Sequence, residues 1–201
     1  MIAILDYGSG NIRSAQRAFE RGNHEVVVTS NFEEALGADG LVIPGVGAFG
    51  ACMSGLLGVR GDELIRERLE AGRKIFGICV GMQILFSQSA ELYEGKTVSG
   101  VGIFPEQVKR LVAPVLPHIG WNSLTDADKS ETFSEVENEQ FYFVHSYGVL
   151  DEVSNAKCVY SNYGSEFVAA IETKLITATQ FHPEKSGPAG LRLIENWVNS
   201  L

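Results

Sequence analysis

Cysteine is scarce in this chain, as are the features that place a protein in a membrane or on a phosphate backbone. Its three cysteines, Cys52, Cys79 and Cys158, are odd in number and show neither paired nor metal-type spacing, which argues against a disulfide framework and a zinc site. No apolar run approaches the length of a membrane span. Met1 leads directly into an apolar stretch without a basic segment or a small-residue cleavage site, so no secretory signal is expected. Positive charge is in deficit as well. Sixteen Lys and Arg against 25 Asp and Glu give a formal charge of −9, which repels nucleic acid and anionic bilayers. The expectation is a cytoplasmic protein with no nucleic-acid or membrane partner, any phosphorylated substrate belonging to another subunit.

At 201 residues and 45% hydrophobic content the chain can bury one substantial core, and no repeat, linker or low-complexity tract divides it. One domain over 1–201 is expected. In the first half, short apolar runs at 2–5, 26–28, 41–43 and 75–78 read as buried strands. Amphipathic segments lie between them. Asn11 is placed to cap a helix carrying Ile12, Ala15 and Phe19 and ending near Gly22, and Asp62 to cap another carrying Leu64, Ile65 and Leu69 before Gly72. Later runs at 141–144, 158–160, 167–171 and 175–181 are strand-like, with a last helix from about Pro188. Alternating strand and helix imply an α/β fold: a flavodoxin-like three-layer sandwich with a mostly parallel central sheet, its site beyond the carboxyl ends of the strands.

The segment 77–81, Gly-Ile-Cys-Val-Gly, sets a cysteine between a buried strand and an expected amphipathic helix over the apolar residues up to Phe86. A nucleophile on such a strand-to-helix elbow needs small neighbours, because the turn is strained while the amides behind it must stay open. The expected consequences are a thiolate favoured by the helix start and a Val80 amide aimed at a developing oxyanion. Cys52 and Cys158 lack this frame and read as small buried hydrophobes.

Near the end, the sequence Gln-Phe-His-Pro-Glu-Lys-Ser over 180–186 follows a strand pattern that Pro183 must stop. His182 and Glu184, two residues apart, can share a face. Thiol catalysis needs an imidazole to accept and return a proton and a carboxylate to fix its tautomer. His24 and His118 have no evident carboxylate partner, and His145 is ambiguous. Cys79, His182 and Glu184 thus define a mechanism class, and a general thiol hydrolase satisfies it as well as any other.

These motifs resemble the class I glutamine amidotransferases, whose pattern is a GxCxG elbow followed far downstream by His-Pro-Glu. Further segments at 6–11, 44–49, 77–83, 117–122, 142–147 and 181–186 are similar, in order and nearly end to end, to the branch of that family serving histidine biosynthesis. Val80 departs from the commoner leucine, at a position where a backbone amide matters. The resemblance implies glutamine as substrate, a γ-glutamyl thioester, no metal and no cofactor, and a heterodimer with a (β/α)8-barrel synthase that receives the ammonia. It also implies that Gly45, Val46, Gly47 and Val80 serve the oxyanion. Gln83, Glu91, Ser146 and Tyr147 would hold the ends of the substrate. Asn11, Trp121, Asn122, Tyr142 and Lys185 would lie near the subunit junction, with plain core packing the alternative for Trp121 and Tyr142. Three rivals stay open: a glutaminase for another synthase, a non-catalytic subunit that kept the fold, and a stand-alone thiol hydrolase.

Overall fold

The computed structural model describes residues 1–22 and 24–201. Four apolar segments form β1 (Ile2–Leu5), β2 (Val26–Thr29), β3 (Gly40–Gly45) and β4 (Lys74–Cys79). Strands β1 and β3 are buried along their whole length, as expected where both faces of a parallel sheet are covered. The covering helices are α1 (Ile12–Glu20), α2 (Phe32–Gly37), α3 (Phe49–Gly58), α4 (Gly61–Glu70) and the C-terminal α6 (Gly187–Asn199), with a single turn, α5 (Val80–Gln83), after β4. Helix α1 packs with α6, and α4 packs with both α2 and α3, giving a helical layer on each side. Phe19 of α1, Phe76 of β4 and Trp197 of α6 meet ring to ring at centroid distances of 5.2 to 6.0 Å and fasten the first layer to the sheet.

The rest of the chain is richer in strands: β5 (Phe86–Tyr93), β6 (Lys96–Ser99), β7 (Phe104–Arg110), β8 (His118–Ser123), β9 (Gln140–His145), β10 (Tyr147–Val149), β11 (Lys157–Tyr163), β12 (Ser165–Glu172) and β13 (Ile176–Thr179). The main sheet runs β2-β1-β3-β4-β13-β12-β10-β7-β5-β6, with β11 on β12. Its first five strands are parallel neighbours in the flavodoxin-like order, and β13 turns the sheet antiparallel at β12. Strands β8 and β9 form a separate antiparallel pair.

Two local expectations are corrected. Asp62 lies inside the first turn of α4; the cap position belongs to Arg60, whose backbone is left-handed at φ 57°. The apolar stretch after Cys79 is helical only through Gln83, because 84–86 leave the turn to enter β5. A short apolar run carries too few turns for periodicity to separate helix from strand.

Arg68 is buried without a carboxylate partner. Its guanidinium donates to the carbonyls of Ala35, Leu36, Ala38, Asp39 and Lys74 at 2.8 to 3.2 Å, closing the end of α2 and the start of β4. Burial pulls its pKa down to about 10, still well above neutrality. Arg68→Met fills similar volume but strands these carbonyls, so we expect a loss of about 3 kcal/mol or more in urea unfolding. A loss below about 0.5 kcal/mol, typical of neutral surface changes, would mean that water replaces the guanidinium.

Candidate active site

Strand β4 delivers Cys79 at its carboxyl end with φ 57° and ψ −113°, a conformation that costs a non-glycine residue on the order of 1–3 kcal/mol. Three glycines make room for it. A Cβ on Gly81 would lie 1.8 Å from the Ile43 carbonyl oxygen, one on Gly77 2.7 Å from the Gly81 oxygen, and one on Gly45 2.5 Å from the Gly81 amide. The GxCxG spacing is therefore a contact requirement shared with β3. Only four residues of helix follow, so the macrodipole is that of one turn. Its first amides nevertheless have no carbonyl within their own helix to bond.

The loop 44–47 leaves β3 beside the elbow, with Gly45 in register with Cys79. It is gripped from below. Tyr7 donates its hydroxyl to the Pro44 carbonyl at 2.5 Å, and Ser9 Oγ lies 2.9 Å from the Val46 carbonyl, 2.9 Å from Cys52 Sγ and 3.4 Å from the Val46 amide that donates to it. Cys52 also donates to the Val46 carbonyl at 3.4 Å. Burial pushes its thiol pKa up, which keeps it a neutral donor. Cys52 is thus buried as expected but polar in its contacts, whereas Cys158 packs in the core with long contacts to the Val153 and Ala156 carbonyls.

His182 sits just past β13, the parallel neighbour of β4. Its backbone amide donates to Tyr142 O at 2.9 Å, and Ser186 ties the same two residues by donating to His182 O and accepting from the Tyr142 amide. His182 Nδ1 pairs with Glu184 Oε1 at 2.8 Å, both side chains being buried. Nε2 is buried without a hydrogen bond, which leaves that nitrogen available to the thiol. Burial alone would lower the imidazole pKa. Cys79 and Glu184 together outweigh it and raise the value to about 9, although the thiol and imidazole do not reach a well-formed hydrogen bond.

A cavity of about 540 Å³ opens over this pair. Val46, Gly47, Cys79, Val80, Gln83, Glu91, Ser146, Tyr147 and His182 line it, and so do Asn11 and Lys185, which sequence reasoning assigned to a subunit junction. Glu184 lies behind His182, and Gly45 presses against the elbow instead of lining the space. Glu91 also accepts from the Phe49 amide at 2.8 Å, capping α3. Asn11 caps α1 through Ser14. Trp121, Asn122 and Tyr142 belong to the β8–β9 pair and are not part of the lining. Trp121 is 53% exposed, so it is no core residue, and it meets the half-buried Tyr142 edge to face at 6.0 Å. Sequence reasoning passed over Tyr7, Ser9, Gln180 and Ser186. The expected strand face for His182 and Glu184 is corrected: β13 ends at Thr179, and Glu184 reaches Nδ1 from a short 3-10 turn over Pro183–Lys185.

The model of the family "Glutamine amidotransferase class-I" matches residues 3–201. The chain belongs to the class I glutamine amidotransferases. Among relatives, the imidazole glycerol phosphate synthase subunit HisH of Corynebacterium diphtheriae is 50% identical, covering 100% of this chain and 99% of its own. The subunit of the same name from Thermobifida fusca is 48% identical over 100% of this chain and 98% of its own. A solved glutamine amidotransferase structure superimposes with a TM-score of 0.77 over 99% of this chain and 97% of its own. At 18% identity that likeness speaks to the fold alone.

Because Cys79 and Glu184 both raise the His182 pKa, removing one should lower it. In Cys79→Ala, nitrogen-detected NMR of the imidazole should show His182 titrating below its wild-type value of about 9. An unmoved titration would remove the sulfur as a cause.

Proposed function

We propose that this amidotransferase is the glutaminase subunit of an imidazole glycerol phosphate synthase, releasing ammonia from glutamine for a (β/α)8-barrel synthase partner in histidine biosynthesis. The observation that carries the reading is the strained Cys79 beside a buried imidazole whose other nitrogen is fixed by Glu184. The names of full-length relatives at 48 and 50% identity supply the pathway.

In this reading Cys79 attacks the side-chain amide carbon of glutamine as a thiolate, while the imidazolium of His182 stands ready to protonate the departing ammonia. Glu184 steadies the imidazolium without being protonated itself. The amide of Val80, with the loop 44–47, holds the oxyanion. A γ-glutamyl thioester remains. Neutral His182 then takes a proton from water, hydroxide attacks the thioester carbonyl, and glutamate leaves as the sulfur regains its charge. Gln83, Glu91, Ser146 and Tyr147 hold the α-amino and α-carboxyl ends of the substrate. Trp121, Asn122 and Tyr142 face the partner, as do Asn11 and Lys185 at the cavity rim.

The resting loop favours control by that partner. The Val46 amide donates to Ser9, which does not line the cavity, so this donor is not offered to an oxyanion until the loop rearranges. Ligand binding in the partner can drive that change with a coupling of about 1 to 3 kcal/mol. Steady-state glutamate release should therefore be slow for this chain alone and rise with the partner and a nucleotide analogue. Equal turnover in all three conditions would end the gating reading and leave the nucleophile untouched.

Cys79→Ala tests the function itself. It should abolish glutamine hydrolysis and keep the complex, and the mutant complex should still form product when ammonium salt is supplied. Failure of that complex with ammonium would sink the ammonia-donor role.

A further inference from the structure

We propose that Gln180 is a further catalytic residue of this site: its carboxamide donates a hydrogen bond to the sulfur of Cys79, and a buried chain of hydrogen bonds fixes it in that orientation. The inference rests on the reading of Cys79 as the nucleophile.

Gln180 is fully buried between the end of β13 and His182, its backbone amide anchored on the Ala169 carbonyl at 2.8 Å. Its Nε2 lies 3.8 Å from Cys79 Sγ, a loose contact for a neutral thiol that strengthens when the sulfur is charged. The direction of the bond follows from its neighbours. A carboxamide can be turned over, exchanging its oxygen and nitrogen, and only the surrounding network decides which end faces where. Gln83 contacts both the Tyr147 carbonyl and the Gln180 side chain, each at 2.9 Å. A backbone carbonyl can only accept, so the Gln83 nitrogen is the atom facing Tyr147. That same nitrogen reaches Gln180, which must present its oxygen there and turn its own nitrogen toward the sulfur.

The Tyr147 carbonyl is fixed in turn. It also accepts from His145 Nδ1 at 2.9 Å, which makes His145 Nε2 the acceptor for His118 Nδ1 at 3.1 Å. Asn122 completes the series through His118 Nε2 at 3.4 Å. Burial lowers both histidine pKa values, His145 to about 3, so both stay neutral across working pH, and the Tyr147 carbonyl accepts from His145 on one side and from Gln83 on the other. The chain runs from the β8–β9 pair to the nucleophile with each donor matched to an acceptor. Such a donor has a task, because one helical turn supplies little dipole and Cys79 is itself buried. It stabilises the thiolate before attack and again when thioester hydrolysis releases it.

Gln180→Met keeps the bulk and removes the donor. Alkylation of Cys79 by iodoacetamide, read by peptide mass on the folded full-length chain, should then have its pH profile displaced to higher pH. In the complex with the synthase, kcat for glutamate release should fall about tenfold, the scale of one hydrogen bond to a charged group, with KM little changed. Gln83→Met leaves Gln180 in place but frees its carboxamide to rotate, and should move the alkylation profile the same way by a smaller amount. An unchanged profile in folded Gln180→Met overturns the proposal. If that variant does not fold, an unchanged profile in Gln83→Met overturns it instead. Glutamine hydrolysis by Cys79→Ala would overturn the nucleophile reading, a different failure with a different signature.

Discussion

Everything at this site depends on how closely β3 and β4 approach at their carboxyl ends. The backbone of Gly81 passes so near Ile43 and Gly45 that no side chain fits at position 45 or 81, and Gly77 closes the third side. Within that interlock Cys79 adopts a backbone conformation that an isolated residue would leave. Packing on both faces of the parallel strands holds it there. One set of contacts thus lifts the sulfur out of the strand, brings the loop 44–47 beside it and keeps the first amides of α5 open. Relaxing any of the three glycines would disturb all of these at once.

The second organising feature is the opposite treatment of two neighbouring buried histidines. His182 has a carboxylate on one nitrogen and the sulfur near the other, and its pKa rises to about 9 despite burial. His145 has a backbone carbonyl and a second imidazole in those places, with no anion to offset burial, and desolvation takes it down to about 3. Both residues line one cavity, and what separates them is the charge of their partners. The first is poised to hold a proton near neutral pH, and the second links the Tyr147 carbonyl to His118 as a neutral group.

The sequence made the parallel half of the sheet readable, because β1 and β3 are apolar throughout, β4 is apolar after Lys74, and the Gly and Pro punctuation around Cys79 and His182 is strong. Phe19 also fell where the helical pattern put it. The strands from β5 to β7 were not readable, since their faces mix polar and apolar residues and β5 begins inside the apolar run of the elbow. Within the site, the residues legible in sequence are those whose chemistry is named by type: a thiol, an imidazole, a carboxylate. Ser9, Gln180, Ser186 and Arg68 act through partners 4 to 101 positions away, most of them distant in sequence. Asn11 and Lys185 line the cavity, which their local sequence does not reveal.

Strand β13 is nearly the last element in the chain, yet it lies between β4 and β12 in the middle of the sheet. A chain emerging from the ribosome therefore carries β4 with one side unpaired, and its thiol without an imidazole, until β13 and the residues that follow it are free to insert. The open edge is an aggregation hazard during that interval. Insertion closes the edge and brings His182 to Cys79 in a single event, so reactivity of the cysteine is acquired together with the completed sheet and not before it.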